Sequence, residues 1–136
     1  MAVPAEYRIW LAEDNPGDVR LFREALNDQG FTFELTVAED GQKAIALVDS
    51  SREGAPPDLI VLDVNLPRHD GAEVLRRIRS REGLSGTPVI MLTSSASPTD
   101  QATAGILGAN LYIQKPSDLD ELETIGTLVH QILKSR

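Results

Sequence analysis

The chain has 136 residues, 41% of them hydrophobic and 25% charged, enough for one domain with a single sizeable core. Thirteen Lys and Arg against twenty-one Asp and Glu leave a net charge of −8, which argues against non-specific affinity for nucleic acid or an anionic membrane. There is no cysteine, so disulfides, thiolate catalysis and zinc–thiolate sites are excluded, and His69 and His130 are too few for a His-rich metal site.

In chain order, residues 7–12 (YRIWLA) read as a short strand. Asn15 is placed to cap a helix with Pro16 in its first position and Asp18 three residues after the cap. Val19, Phe22 and Leu26 share one face of that helix, and Gly30 is a natural left-handed terminator. Residues 31–38 (FTFELTVA) alternate and carry β-branched side chains, a second strand. Residues 41–51 give a helix with Ala44, Ile45, Leu47 and Val48 before the break at Gly54-Ala55-Pro56-Pro57. Residues 58–62 (DLIVL) are a continuous apolar run, the kind of strand buried on both faces of a parallel sheet. A loop with Pro67 and Gly71 leads to a third helix with Val74, Leu75 and Ile78 inward and the arginines of LRRIRSR as its solvated face. Residues 87–92 (TPVIML) repeat the buried-strand signature, Ser97-Pro98 starts a weaker fourth helix, and residues 110–113 form a short last strand. Ser117, with Asp120 three residues on, is predicted to cap the final helix, whose inward arc is Leu119, Leu122, Val129 and Leu133.

Five strands alternating with five helices predict an α/β fold: a parallel sheet with helical crossovers covering both faces, as a single domain over residues 1–136 with no output domain. In such sheets ligands sit beyond the carboxyl ends of the strands. Glu13 and Asp14 follow the first strand, Asp63 ends the third, Thr93 and Ser94 end the fourth, and Lys115-Pro116 follows the fifth. Three converging carboxylates repel one another unless a cation compensates, and Mg²⁺ suits a few carboxylates, waters and a phosphate oxygen. Three negative charges from the acids then balance Mg²⁺ and Lys115, and a phosphoryl group added there gains a metal ligand, an ammonium and a hydroxyl donor. Asp63, on the central strand, is the candidate nucleophile, since carboxylates can form aspartyl phosphates.

With Glu13-Asp14, LIVLDVNLP around Asp63, Gly71, Thr93 and Lys115-Pro116, the chain resembles the response regulator receiver domains of two-component signalling over essentially its whole length. The resemblance implies a flavodoxin-like fold of strand order 2-1-3-4-5. It implies Asp63 as phosphoacceptor and Asp14 and Asp63 as Mg²⁺ ligands, with the Asn65 carbonyl as a further ligand and Glu13 acting through water. Thr93 would bond the phosphoryl oxygen and Lys115 would pair with it. Tyr112 would turn inward as the aromatic switch, reshaping the face of the fourth helix, fifth strand and fifth helix. The Lys115–Pro116 bond is cis in many members. Asn65 and Ser95 stand where the family sets its autodephosphorylation rate, and Ser94 fills a position that is often alanine.

The EDNPGDVRL opening also resembles stand-alone receivers that partner bacterial phytochrome kinases, many of which dimerise through the last helix and strand. Here Leu128 and Ile132 flank the arc of the final helix as the edge of the core or a contact for a second copy. The first helix is expected to dock the kinase, with Leu21, which points away from its core face, as the contact. The expected protein is thus a cytoplasmic phosphoacceptor switch, served by a sensor histidine kinase, that catalyses only its own phosphorylation and dephosphorylation. It has no signal peptide layout, membrane span or nucleic-acid contact of its own. A dehalogenase-type phosphatase would want an aspartate where Asn65 stands. A nucleotide-binding flavodoxin relative would want a phosphate loop where Glu13-Asp14 stand, and a degenerate receiver would lack one of the site residues.

Overall fold

Strands and helices alternate along the chain as β1 (Tyr7–Ala12), α1 (Pro16–Asn27), β2 (Phe33–Ala38), α2 (Gly41–Asp49), β3 (Leu59–Asp63), α3 (Gly71–Ser80), β4 (Val89–Thr93), α4 (Pro98–Leu107), β5 (Leu111–Gln114) and α5 (Leu119–Lys134). A 3-10 turn, Glu82–Leu84, lies between α3 and β4. The computed structural model describes residues 5–51, 56–94 and 98–135, the last without the side chains of residues 100, 101 and 103. Ser95, Ser97, Gly54 and Ala55 lie outside the described residues.

All strand pairs are parallel, in the order β2-β1-β3-β4-β5, the flavodoxin-like arrangement. Alternation along each strand sends side chains to two cores. Ile9, Leu11, Leu59, Val61, Ile90 and Leu92 meet Phe22 and Leu26 of α1 and Ile125, Val129 and Leu133 of α5. Ala12, Ala38, Ile60, Leu62 and Met91 meet Ala44 and Val48 of α2, Val74, Leu75 and Ile78 of α3, and Ala104 of α4. Two of the three interior strands, β3 and β4, are buried throughout, which is why they read as unbroken apolar runs.

Several boundaries differ from the sequence reading. β2 starts at Phe33, because Phe31 stacks edge-on between Tyr7 and Phe33 rather than pairing. β3 starts after Asp58, whose carboxylate accepts the Arg8 N–H at 2.8 Å. The last helix is capped by Asp118, not Ser117: the Asp118 carboxylate accepts the Glu121 N–H at 2.8 Å. Glu121 in turn accepts the Ser117 N–H, so Ser117 sits one residue outside the helix. Leu119, in the first helical position, projects outward at 73% exposure and leaves the predicted arc. Leu128 and Ile132 are half-buried, and Ile132 packs against the α1–α5 core.

The arginine run is also not uniformly solvated. Arg79 turns under the sheet's lower edge, its guanidinium donating to the carbonyls of Gly108, Thr87, Ser85 and Leu84 and to the Asn110 side chain. Arg77 forms a two-bond pair with Asp49 across α2 and α3.

Candidate functional site

The parallel register places four strand ends side by side. Ala12 pairs with Leu62, Asp63 with Leu92, and Thr93 with Gln114, so the residues at or just after those ends share one edge of the sheet. Asn15 caps α1 by accepting the Gly17 and Asp18 N–H groups at 2.8 and 3.2 Å, and this turn leaves Glu13 and Asp14 at the rim. Gly71 lets α3 approach: a Cβ there would lie 2.7 Å from the Asp63 carbonyl oxygen. Gly41 does the same for the loop after β3, its N–H bonding the Pro67 carbonyl and its α-carbon facing the His69 backbone. In that loop Arg68 holds φ at +75°, a conformation costly for a side-chain-bearing residue, with its guanidinium anchored to Gln42 and Asp40.

Glu13, Asp63 and Thr93 are buried, whereas Asp14 is exposed. One carboxylate oxygen each from Glu13, Asp14 and Asp63 lies within 4.8 Å of the other two. Such an all-oxygen set, buried on one side and open on the other, fits a hard divalent cation that keeps part of its water shell. The Asp63 carboxylate is held at both oxygens: Oδ1 accepts the Asn65 N–H at 3.0 Å and Oδ2 accepts from Lys115 Nζ at 2.9 Å. Lys115 also reaches Glu13 Oε1 at 2.8 Å and Asp18 Oδ2 at 3.2 Å. Its backbone N–H extends the β4–β5 ladder to the Thr93 carbonyl. None of the described peptide bonds is cis, so Lys115–Pro116 takes the trans form usual for prolines.

Burial pushes the Glu13 carboxyl up to about 7; the Lys115 ammonium pulls it down, and the adjacent Asp63 carboxylate adds to the rise. Burial also works against the Lys115 charge, but Glu13, Asp63 and Asp18 more than offset it and hold its pKa above the ordinary lysine value. The site is therefore an anionic pocket whose single amine is fully engaged, ready to gain from added positive charge.

Every residue singled out at the strand ends comes to this edge. Ser94 is exposed beside Thr93. Tyr112, two residues before the end of β5, lies half-buried against the α2–α4 core, and its hydroxyl is buried without a hydrogen-bond partner. It lines an open cavity of about 280 Å³ with Val64, Asn65, Asp70, Ala72, Met91, Ala104 and Leu107. Sequence reasoning missed Asp18. It looked like a first-turn helix acid, and its partner lies 97 residues away, so no local pattern announces the pair.

Comparison with known proteins places the family and the fold. The family model of the response regulator receiver domain matches residues 9–126. The transcriptional regulatory protein TrcR of Mycobacterium tuberculosis is 41% identical over 115 residues, which cover 85% of this chain and 42% of TrcR, so the chain spans less than half of that relative. The response regulator Rcp1 of Synechocystis is 38% identical over 117 residues, 84% of this chain and 80% of Rcp1. Among solved structures, the phosphorylated cyanobacterial phytochrome response regulator RcpA superposes with a TM-score of 0.85 at 36% identity, covering 96% of both chains. The Mn²⁺-bound form of Rcp1 superposes at 0.80 with 34% identity, covering 92% of both.

Proposed function

The chain belongs to the response regulator receiver family, and from that membership we propose that Asp63 is the residue that accepts the phosphoryl group. Receivers are phosphoacceptor switches that partner with sensor histidine kinases. In the proposed reaction an Asp63 carboxylate oxygen attacks the phosphorus of a phosphohistidine in line. The new O–P bond forms as the P–N bond breaks, and the electron pair leaves with the imidazole of the donor. This chain's residues supply placement and charge: the Asn65 N–H and Lys115 fix the carboxylate, and Lys115 then turns toward the phosphoryl oxygens, with Thr93 bonding another. Mg²⁺, held by Asp14, Asp63 and the Asn65 carbonyl with Glu13 through water, would neutralise the acids and the incoming group. Beyond its own phosphorylation and dephosphorylation the protein is proposed to act on no substrate.

Tyr112 already holds the inward position that the switch was expected to turn to, half-buried and with its hydroxyl buried and unpartnered. An orphaned buried hydroxyl costs about 1–3 kcal/mol, so this position carries a standing penalty. In the proposed switch, new contacts at Thr93 shift the balance between this position and an outward one. The readout face is α4, β5 and α5, where Ile106 and Leu119 stand exposed. A second copy of the chain would cover them, and the likeness to RcpA supports a phytochrome-type kinase as the phosphodonor. No helix among the described residues is long and apolar enough to cross a membrane, and the cytoplasm is the proposed location.

The observation that carries the assignment is the Asp63 carboxylate, buried at the centre of the acid cluster and bonded to Lys115. Incubation with Mg²⁺ and a small acyl phosphate, followed by intact mass measurement, should show one added phosphoryl group. Undiminished labelling of Asp63→Asn would sink the assignment. Sedimentation with and without the phosphodonor tests the dimer separately.

A further inference from the structure

We propose that Asp18 is a positioning residue for Lys115. By holding the ammonium toward α1 it withholds part of the charge that bonds the phosphoryl group, and so sets how tightly the site retains that group. The inference rests on the reading of Asp63 and Lys115 given above. An ammonium has three protons, and here each faces a different carboxylate: Glu13 at 2.8 Å, Asp63 at 2.9 Å and Asp18 at 3.2 Å. A phosphoryl oxygen takes over the proton that the phosphorylated Asp63 carboxylate gives up, and it must then share the ammonium with Glu13 and Asp18.

The three partners are not equally replaceable. The Glu13 side chain is 2% exposed and fixed at its other oxygen by the Asn15 N–H. Asp63 is the attachment point itself. The Asp18 side chain is 40% exposed and makes the longest bond, so it can rehydrate when it lets go. Asp18 is not needed as a cap, because Asn15 already accepts the Gly17 and Asp18 N–H groups. Its carboxylate instead reaches across to the segment after β5, at the mouth of a crevice that it lines with Leu21, Phe22, Lys115, Leu122 and Ile125. Removing the Asp18 charge frees the ammonium for the phosphoryl group.

The probe is beryllium fluoride, a tetrahedral anion that mimics a carboxylate-bound phosphoryl group, titrated into the full chain at saturating Mg²⁺ and followed by fluorine NMR. Asp18→Asn should bind it about fivefold more tightly, the scale of one partly exposed ion pair, and Asp18→Glu should restore the original affinity. In a Lys115→Met background, which keeps the apolar stem, the gain should vanish. In the metal-free protein the Lys115 Nζ resonance should shift in Asp18→Asn and return in Asp18→Glu. Failure of the unaltered chain to bind the anion would overturn the phosphoacceptor reading itself. Binding that Asp18→Asn leaves unchanged or weakens would overturn this inference alone. A gain that persists in full without Lys115 would also overturn it, since Asp18 would then act only by direct repulsion.

Discussion

Burial lifts the Glu13 carboxyl to about 7 while its unfolded reference stays at 4.5, so stability and chemistry ask opposite things of this residue. Below pH 4.5 the proton is bound in both states and the side chain is neutral to folding. Between about 4.5 and 7 only the folded state keeps it, so the contribution of Glu13 falls as pH rises, and above 7 the loss is complete. Glu13→Gln is therefore expected to raise the Tm of the metal-free protein by several degrees at pH 8 and by little at pH 5. Thermal melts in chelator check this, and an equal change at both pH values would contradict it. A site that gains from added positive charge holds more negative charge than the fold alone would choose. Most of that site could be read in the sequence, since Glu13, Asp14, Asp63, Thr93 and Lys115 each stand at a strand end, and strand ends are local features. Asp18 could not, because its role is decided by the angle of α1 against the β5–α5 segment rather than by any spacing.

At the scale of elements, alternation and helix periodicity specified which segments pair and which cover them, whereas the edges depended on particular side chains. Asp58 bonds Arg8 and stays out of β3, and Asp118 outcompetes Ser117 for the α5 cap. Arg79 shows the same limit: it stands in a run where Arg76 is exposed and Arg77 pairs with Asp49, but its own guanidinium ties the end of α3 to the α4–β5 turn at Gly108 and to the start of β4. A planar guanidinium brings five N–H donors in a fixed fork against three on an ammonium, enough for this many acceptors at once. Arg79→Ala should lower stability by about 2 kcal/mol, the scale of charge-assisted bonds lost together with stranded acceptors. Arg79→Lys should recover less than half of that, and Arg76→Ala, at an exposed position, should stay within about 0.5 kcal/mol of the unaltered chain. Urea midpoints at unchanged slope provide the comparison.

For the molecule as a whole, a net charge of −8 means that any added salt relieves some self-repulsion, so cation stabilisation alone says little about a site. What distinguishes a site is stabilisation by Mg²⁺ beyond that from Na⁺ at equal ionic strength, because a bound ligand adds RT ln(1 + [L]/Kd) to folding. At a hundredfold excess over Kd this amounts to about 2.7 kcal/mol, roughly 10 °C in Tm for a domain of this size. The difference should be largely absent in Asp14→Asn, because Asp14 is the exposed member of the cluster and its loss leaves the buried pair of Glu13 and Asp63 already partnered by Lys115. Melts in matched MgCl₂ and NaCl read this directly. A Mg²⁺-specific rise that survives intact in Asp14→Asn would mean that the cation binds elsewhere on the acidic surface. The strand-end cluster would then owe its compensation to Lys115 alone.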